Sequence, residues 1–455
     1  MTSFRFASLR YLSCLVGASS ALLLTTGCQL NSTAPASAPA STPITVQGSL
    51  HGGQQPVSGA TITAYAVSNS GYGTASRVLG STTTNSMGIF QFAAYQNCVA
   101  NDLMYIVATG GNPGVAGTQN NSALAEMTGL GLCSNIDSTT FVNINELTTI
   151  GAVWALAPFM KDEAHVGTSA TNSLGMQNAF NTIYLKMIDP TAGVAPSPFL
   201  NANATFPAAE FNTLADILAA CVNTVDSTNP AGKSATCQSI LAAGAVNGVT
   251  PTNTIRLALN LALHPTLGLS LYAQGTPAAP YQPTLTAAPP SWMISINYSF
   301  AQLDSTPNVP KGIAVDPTGY IYSAGAGQNP DSSHTNSLLE VSPQTGSIIE
   351  THYTGNTIEN QPSALAIDSI GNIWTTDSAN NSLIETGPSA PAGGGGIHTG
   401  NGMSAPNAIA IDASGNLWVT NSGNSSVSEF SSSGAAIGNF ASGIAAPVAI
   451  AISPK

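Results

Sequence analysis

Chemistry in this chain has to come from few residues, because only 7% of its 455 positions are charged and its six histidines stand singly at His51, His165, His264, His334, His352 and His398. Three of them, His334, His352 and His398, share a C-terminal region with Glu340, Asp377 and Glu385. An imidazole held beside a carboxylate is what general acid–base catalysis requires, so convergence of these histidines with one of the acids would make an enzyme. Their placement in loops and strand ends favours a dispersed surface set. Arg256, Glu146 and Asp216 are the only charges on three otherwise apolar helical faces. An ion pair that pins helix packing is the structural expectation for them, and a substrate carboxylate held by Arg256 is the functional one. The sequence has no Gly-x-Ser-x-Gly elbow, no His-Glu-x-x-His and no Gly-x-x-x-x-Gly-Lys-Ser/Thr phosphate loop. The run Gly393 to Gly396 reads as a loop. No catalytic residue, metal or cofactor is expected.

The cysteines point to export. Of six, Cys14 and Cys28 lie near the N-terminus, leaving Cys98, Cys133, Cys221 and Cys237. An even remainder suits two disulfides, and sequence proximity favours Cys98–Cys133 and Cys221–Cys237. The shorter loop would contribute about 3 kcal/mol by the chain-entropy estimate. A structural zinc site is disfavoured, since no C-x-x-C pair occurs and no histidine stands at ligand spacing. At the N-terminus, Arg5 and Arg10 precede an apolar run from Tyr11 to Leu24 and then Thr25-Thr-Gly-Cys28, the layout of a signal peptide over residues 1–27. Residues 28–43, rich in Ser, Thr, Ala and Pro, form a flexible tether. Nine Lys and Arg against 21 Asp and Glu give a net charge of −12. Such a surface cannot hold nucleic acid by phosphate neutralisation.

The elements that would position these groups begin with a repeat. Pro310-Lys-Gly-Ile-Ala-Val-Asp-Pro-Thr-Gly-Tyr-Ile-Tyr322, Pro362-Ser-Ala-Leu-Ala-Ile-Asp-Ser-Ile-Gly-Asn-Ile-Trp374 and Pro406-Asn-Ala-Ile-Ala-Ile-Asp-Ala-Ser-Gly-Asn-Leu-Trp418 share one pattern, and a fourth copy begins at Pro447. The Pro-to-Pro spacings of 52, 44 and 41 residues match the period of β-propeller blades. In each copy, alternating apolar residues predict a strand on either side of a turn. Asp316 with Gly319, Asp368 with Gly371, and Asp412 with Gly415 are the turn formers. A further strand is predicted at Trp292-Met-Ile-Ser-Ile-Asn-Tyr298. With three full copies, the ring either closes through these end segments or stays an open arc. An open arc would leave residues 448–452 as an apolar unpaired edge, which points to truncation of a longer parent or to self-association.

This pattern resembles the NHL-repeat family of β-propellers and, less closely, the streptogramin-lyase propellers. The first likeness implies a protein-, glycan- or nucleic-acid-binding surface, of which the acidic charge balance disfavours the last. The second implies a histidine general base with an acidic partner and a metal. Thr25-Thr-Gly-Cys28 resembles the lipobox of bacterial lipoproteins, which implies diacylation of Cys28, and Gln29 after it implies sorting to an outer membrane.

Ahead of the repeats, residues 44–111 show short alternating strands with turns, the signature of a β-sandwich. The order Gly…Pro56-Val-Ser-Gly-Ala-Thr-Ile62…Thr83-Thr-Asn-Ser-Met-Gly-Ile-Phe90…Tyr105-Ile-Val-Ala108 resembles the carboxypeptidase-regulatory-like domains, which implies a spacer or binding platform. Residues 112–282 read as helical, with helices over Asn145 to Ala157, Pro207 to Cys221 and Thr252 to Leu263. The expected molecule is therefore multidomain and mainly β: a β-sandwich, an α-helical domain, and a partial propeller of about three to four blades over residues 283–455. Its expected role is a non-catalytic cell-envelope binding or adhesion module with a protein or glycan ligand, touching the membrane through its lipid alone. A metal-dependent propeller enzyme and a structural protein assembling through the propeller edge are the alternatives.

Overall fold

A computed structural model describes residues 46–92, 98–114, 120–137, 139–202, 204–224, 226, 228–229, 231–276, 278–298, 309–316, 319–326, 336–342, 348–352, 362–387 and 396–452. The predicted signal peptide, Cys28 and the tether lie outside the described residues. The chain is mainly β, with several separate sheets and a set of helices.

Two sheets open the described chain. In the first, β1 (Gln47–Gly52) pairs antiparallel with the short strand Ile89–Gln91 and parallel with Phe141–Ile144. In the second, β2 (Thr61–Ala66), β3 (Arg77–Thr83), β4 (Leu103–Thr109) and β5 (Ala125–Leu132) run antiparallel in the order β3-β2-β4-β5. Alternation sends Ile62, Ala64 and Ala66 into the core between the sheets, where they meet Leu50, Phe90, Met104 and Ile106. Tyr105 and Val107 on β4 point the other way, into a second core built with helices. That explains why Leu103-Met-Tyr-Ile-Val-Ala is nearly continuous in apolar residues: β4 is buried on both faces.

The helices run where their caps and periodicity predict. Helix α1 (Glu146–Leu156) starts at Asn145, whose side chain accepts the Thr148 N–H while Thr148 Oγ1 accepts the Asn145 N–H. Helix α2 (Ala208–Val222) and helix α3 (Thr254–Leu263) pack in the same layer, joined by the helices Ser173–Thr182 and Ala235–Ala243 that the sequence reading did not single out, and Asn253 caps α3 by accepting the Arg256 N–H. Their buried residues share one core with Tyr105, Val107 and Met127 of the second sheet.

This corrects two expectations. The sheets extend beyond Gly111, because β5 and Phe141–Ile144 fall in the stretch read as helical. Ala-Glu-Met-Thr-Gly-Leu-Gly-Leu on β5 carries two glycines and no clear period, so its strand character comes from pairing with β4. Nor does the 292–298 segment join the propeller. Trp292 is 1% exposed in the helical core, its backbone N–H donating to Pro265 O (2.7 Å) and its indole N–H to Leu267 O (2.9 Å). Only Asn297–Tyr298 is a strand, and it pairs with Ala204–Thr205.

Cysteines pair as proximity suggests, Cys98 with Cys133 and Cys221 with Cys237, at Cα–Cα distances of 6.0 and 4.1 Å.

The repeats form three four-stranded antiparallel meanders, the build of propeller blades. Blade 1 holds Val309–Val315, Ile321–Ala326, Asn336–Val341 and Ile348–His352. Blade 2 holds Pro362–Ile367, Ile373–Asp377, Ser382–Thr386 and Gly396–Thr399. Blade 3 holds Pro406–Ile411, Leu417–Asn421, Ser426–Phe430 and Ala436–Phe440. First strands of successive blades pack side by side, as they do around a propeller axis. Residues 448–452 form no strand, and Val448 is 73% exposed.

Two of the turn aspartates, Asp368 and Asp412, do more than start a turn. Asp368 Oδ1 accepts the N–H groups of Ile370 (3.0 Å) and Asn372 (2.8 Å), while Oδ2 accepts the Asn372 amide (2.9 Å) and the Trp374 indole N–H (3.2 Å). Asp412 likewise accepts the Ser414 and Asn416 N–H groups and the Trp418 indole N–H, while the Asn416 amide donates to Glu429 Oε1 (3.1 Å). Gly371 and Gly415 take φ of 91° and 84° at the turn exits, where a Cβ would be strained. One carboxylate thus fixes both the turn and the indole two strand positions beyond it. Asp368→Ala strips four donors at a site only 8% exposed, so a loss of about 2–4 kcal/mol is expected in urea unfolding followed by tryptophan fluorescence. Asp412→Ala, at the exposed blade, should cost less.

Candidate functional site

The propeller histidines and acids do not assemble into a general acid–base set among the described residues. His398 lies on Gly396–Thr399, the outermost strand of blade 2, its ring centroid 5.2 Å from that of Trp374 and its Nε2 3.6 Å from Glu385 Oε2. Glu385 is on the third strand and His398 on the fourth, so neither belongs to the first strands that pack side by side. Asp377 is fully buried: its Oδ1 accepts the Ala379 and Asn380 N–H groups and its Oδ2 the Asn380 amide, so it organises a turn. Glu340 sits beside Tyr322, whose hydroxyl is pushed above the ordinary tyrosine range by burial and then by the Glu340 carboxylate. His334 and the side chain of His352 lie outside the described residues. Among the described residues no group of three or more His, Cys, Asp or Glu is arranged to hold a metal ion.

Arg256 does form an ion pair, with partners other than those expected. Its Nε donates to Glu163 Oε2 (2.8 Å) and its Nη2 to Glu163 Oε1 (3.1 Å), with Asp162 Oδ2 at 3.7 Å. Asn253 Nδ2 donates to Glu163 Oε1 (3.1 Å), and His165 Nδ1 lies 2.6 Å from Asp162 Oδ1. The guanidinium fork is filled by a neighbouring side chain, which clips α3 to the hairpin formed by Met160–Asp162 and His165–Val166. A substrate carboxylate would find it occupied.

Glu146 and Asp216, the expected partners, instead belong to a buried carboxyl cluster. Glu146, at the first position of α1, accepts the Gly53 N–H on both oxygens (2.9 Å each) and the Tyr281 hydroxyl on Oε2 (2.6 Å). Asp216 on α2 accepts the Tyr281 backbone N–H (3.1 Å). Glu126 on β5 is fully buried, with neither oxygen partnered. Desolvation raises all three carboxyls: Glu126 well above its usual range, with Glu146 repelling it further, and Glu146 and Asp216 to about 7. Hydrogen bonds from Tyr281 and Gly53 offset part of the effect at Glu146. Five chain segments, distant in sequence, are drawn together by these contacts.

A concave surface does occur where the helices stop covering the second sheet. A cleft of about 630 Å3 is lined by Ser58, Gly59, Thr61, Thr109, Gly110, Gly111, Asn112, Asn120 and Ser122. Thr61 and Thr109 are register partners on β2 and β4, so their side chains stand together on one face. Asn120 Oδ1 accepts the Gly111 N–H, which fixes the cleft wall. Every lining side chain is a hydroxyl or an amide. The sequence reading missed this site, because only strand pairing brings its two segments together. The signal available was weak: runs of Gly, Ser and Asn at the ends of predicted strands.

No protein-family model matches the chain, and no curated protein matches it. Among solved structures it is similar to a catalytically inactive virginiamycin B lyase from Staphylococcus aureus with quinupristin, at 20% identity over 34% of this chain and 49% of that one, with a TM-score of 0.28. A streptogramin B lyase follows at 18% identity, 32% and 46% coverage and a TM-score of 0.26. A putative gluconolactonase shows 14% identity, 30% and 49% coverage and a TM-score of 0.23. The chain spans about half the length of these structures. Its blade architecture rests on the strand pairing above, and the likenesses transfer no activity.

The carboxyl cluster sets a sign for pH dependence. Folded pKa values lie above unfolded ones, so the native state keeps protons that the unfolded chain releases. The stabilisation is complete at acid pH, below the unfolded values, and is lost as pH rises through about 7 at Glu146 and Asp216. The slope should be about 1.4 kcal/mol per pH unit for each proton retained. Calorimetric melting between acid and mildly alkaline pH should show a falling midpoint, and Glu126→Gln should flatten the fall while preserving side-chain shape.

Proposed function

We propose that this chain is an exported, lipid-anchored cell-envelope protein acting as a non-catalytic binding module for an uncharged, polar ligand of glycan type. The observation that carries this reading is the cleft at the end of the second sheet. Its hydroxyl and amide lining suits a polyhydroxylated ligand, which forms many neutral hydrogen bonds and gains little from charge. Low overall charge and the net −12 agree with a surface that avoids nucleic acid and anionic headgroups. On the residue patterns alone, we read the blades as NHL-like and residues 44–111 as carboxypeptidase-regulatory-like, both platform-type modules. The enzyme alternative draws on the His398–Glu385 contact. The pair spans the third and fourth strands of blade 2, with His398 against Trp374 and close to Gly434, whose added Cβ would meet the His398 ring.

Anchoring follows from Arg5, Arg10, the apolar run and Thr25-Thr-Gly-Cys28. Metabolic labelling with a fatty acid should tag the chain in a bacterial host, and Cys28→Ser should abolish the label and release the protein from membranes. For the ligand, a neutral-glycan array followed by titration calorimetry should give binding that Thr109→Arg weakens at least about tenfold, roughly 1.4 kcal/mol, with melting unchanged. Binding unaffected by Thr109→Arg would remove the cleft as the site.

A further inference from the structure

The blades carry an inference that is independent of the proposed ligand. Among the described residues two blade-to-blade contacts occur, and they are built alike. Tyr322, Ala324 and Leu338 of blade 1 pack against Leu365 and Ile373 of blade 2. Trp374 and Leu383 of blade 2 pack against Ile409 and Leu417 of blade 3. In each case a ring and aliphatic groups on one blade cover two apolar positions of the next. Ser363 Oγ adds a polar tie across the second contact, donating to Pro406 O (2.7 Å).

The same positions are bare at the two ends of the arc. Ile313 matches Leu365 and Ile409 in the repeat but is 70% exposed, against 7% and 9%. Val315 is 59% exposed. Ile321 is half-buried, whereas its counterparts Ile373 and Leu417 are buried. At the other end Trp418 is only partly covered, by Phe440 stacked at 5.8 Å, whereas Trp374 is wholly buried beneath blade 3. Phe440 is itself 48% exposed. One end thus offers the receiving half of the blade contact and the other offers the covering half.

We propose that a second copy of this chain completes the contact, with the Trp418 face of blade 3 in one copy docking on the Ile313, Val315 and Ile321 face of blade 1 in the other. Made at both ends, the contact joins the three described blades of each copy into a two-fold ring of six, inside the range of about four to eight that propellers use. The joint is face to face. It therefore differs from strand addition at the 448–452 edge, which the structure does not form as a strand.

The test is light scattering on the full chain carrying Cys28→Ala, which removes the acylation position, over a wide concentration range. A dimer is expected. Ile313→Glu, a change at an exposed side chain, should abolish it while leaving the far-ultraviolet circular dichroism and melting unchanged. Ile370→Glu, equally exposed at 67% but on the turn of blade 2, should leave the dimer intact. A wild-type monomer at every concentration overturns the proposal. So does a dimer that survives Ile313→Glu, or one that Ile370→Glu also dissolves.

Discussion

The burial of β4 on both faces is the constraint on which the N-terminal half depends. Met104, Ile106 and Ala108 close the space between two sheets, and Tyr105 and Val107 meet the helices on the opposite side. A strand in that position cannot be half-polar, and its neighbours inherit the demand. The outer face of β5 must match α1 through Met127, and Gly129 must stay small because a Cβ there would meet Ile183 and Phe180. Sheet and helices therefore stand or fall together as one packed body, and a helical layer without the sheet would expose its own core.

Polar groups trapped by that packing explain the carboxyl cluster. Once β5 is sealed between two cores, Glu126 has no route to water, and a charged carboxylate there would cost far more than a proton does. Glu146 begins α1, where the helix dipole favours an anion, yet its range still moves up. Burial outweighs both the dipole and the two hydrogen-bond donors Gly53 and Tyr281. The Tyr281 segment, held by its hydroxyl to Glu146 and by its N–H to Asp216, is in this way tied to the sheet turn through chemistry that is neutral at acid pH.

What the sequence made legible divides along the range of the interactions. The blades were readable because each depends on local residues: alternation sets the strands, and Asp and Gly set the turn. Helix α1 was readable from Asn145 and its apolar run. The role of Asp368 and Asp412 as indole acceptors was one step further, since it requires the pairing that brings residue i+6 back over the turn. Arg256 was readable as an ion-pairing residue but its partner was not, because Glu163 arrives through a hairpin that no periodicity announces. Strand β5 and the cleft were illegible for the same reason. Ala125–Leu132 becomes a strand only by pairing with β4, and Thr61 meets Thr109 only through register.

Repetition in the propeller gives a control that a unique fold lacks. Three residues in equivalent positions, Ile313, Leu365 and Ile409, share local sequence and local pairing, and the two buried ones are those packed with a ring of the preceding blade, Tyr322 or Trp374. The same holds for Trp374 and Trp418, which bond to equivalent aspartates at 3.2 and 3.0 Å and differ only in what covers the ring. Local chemistry builds each blade completely. It leaves the packing of faces to whatever blade comes next, and among the described residues Ile313 and Trp418 keep exposed surface that their counterparts Leu365, Ile409 and Trp374 bury.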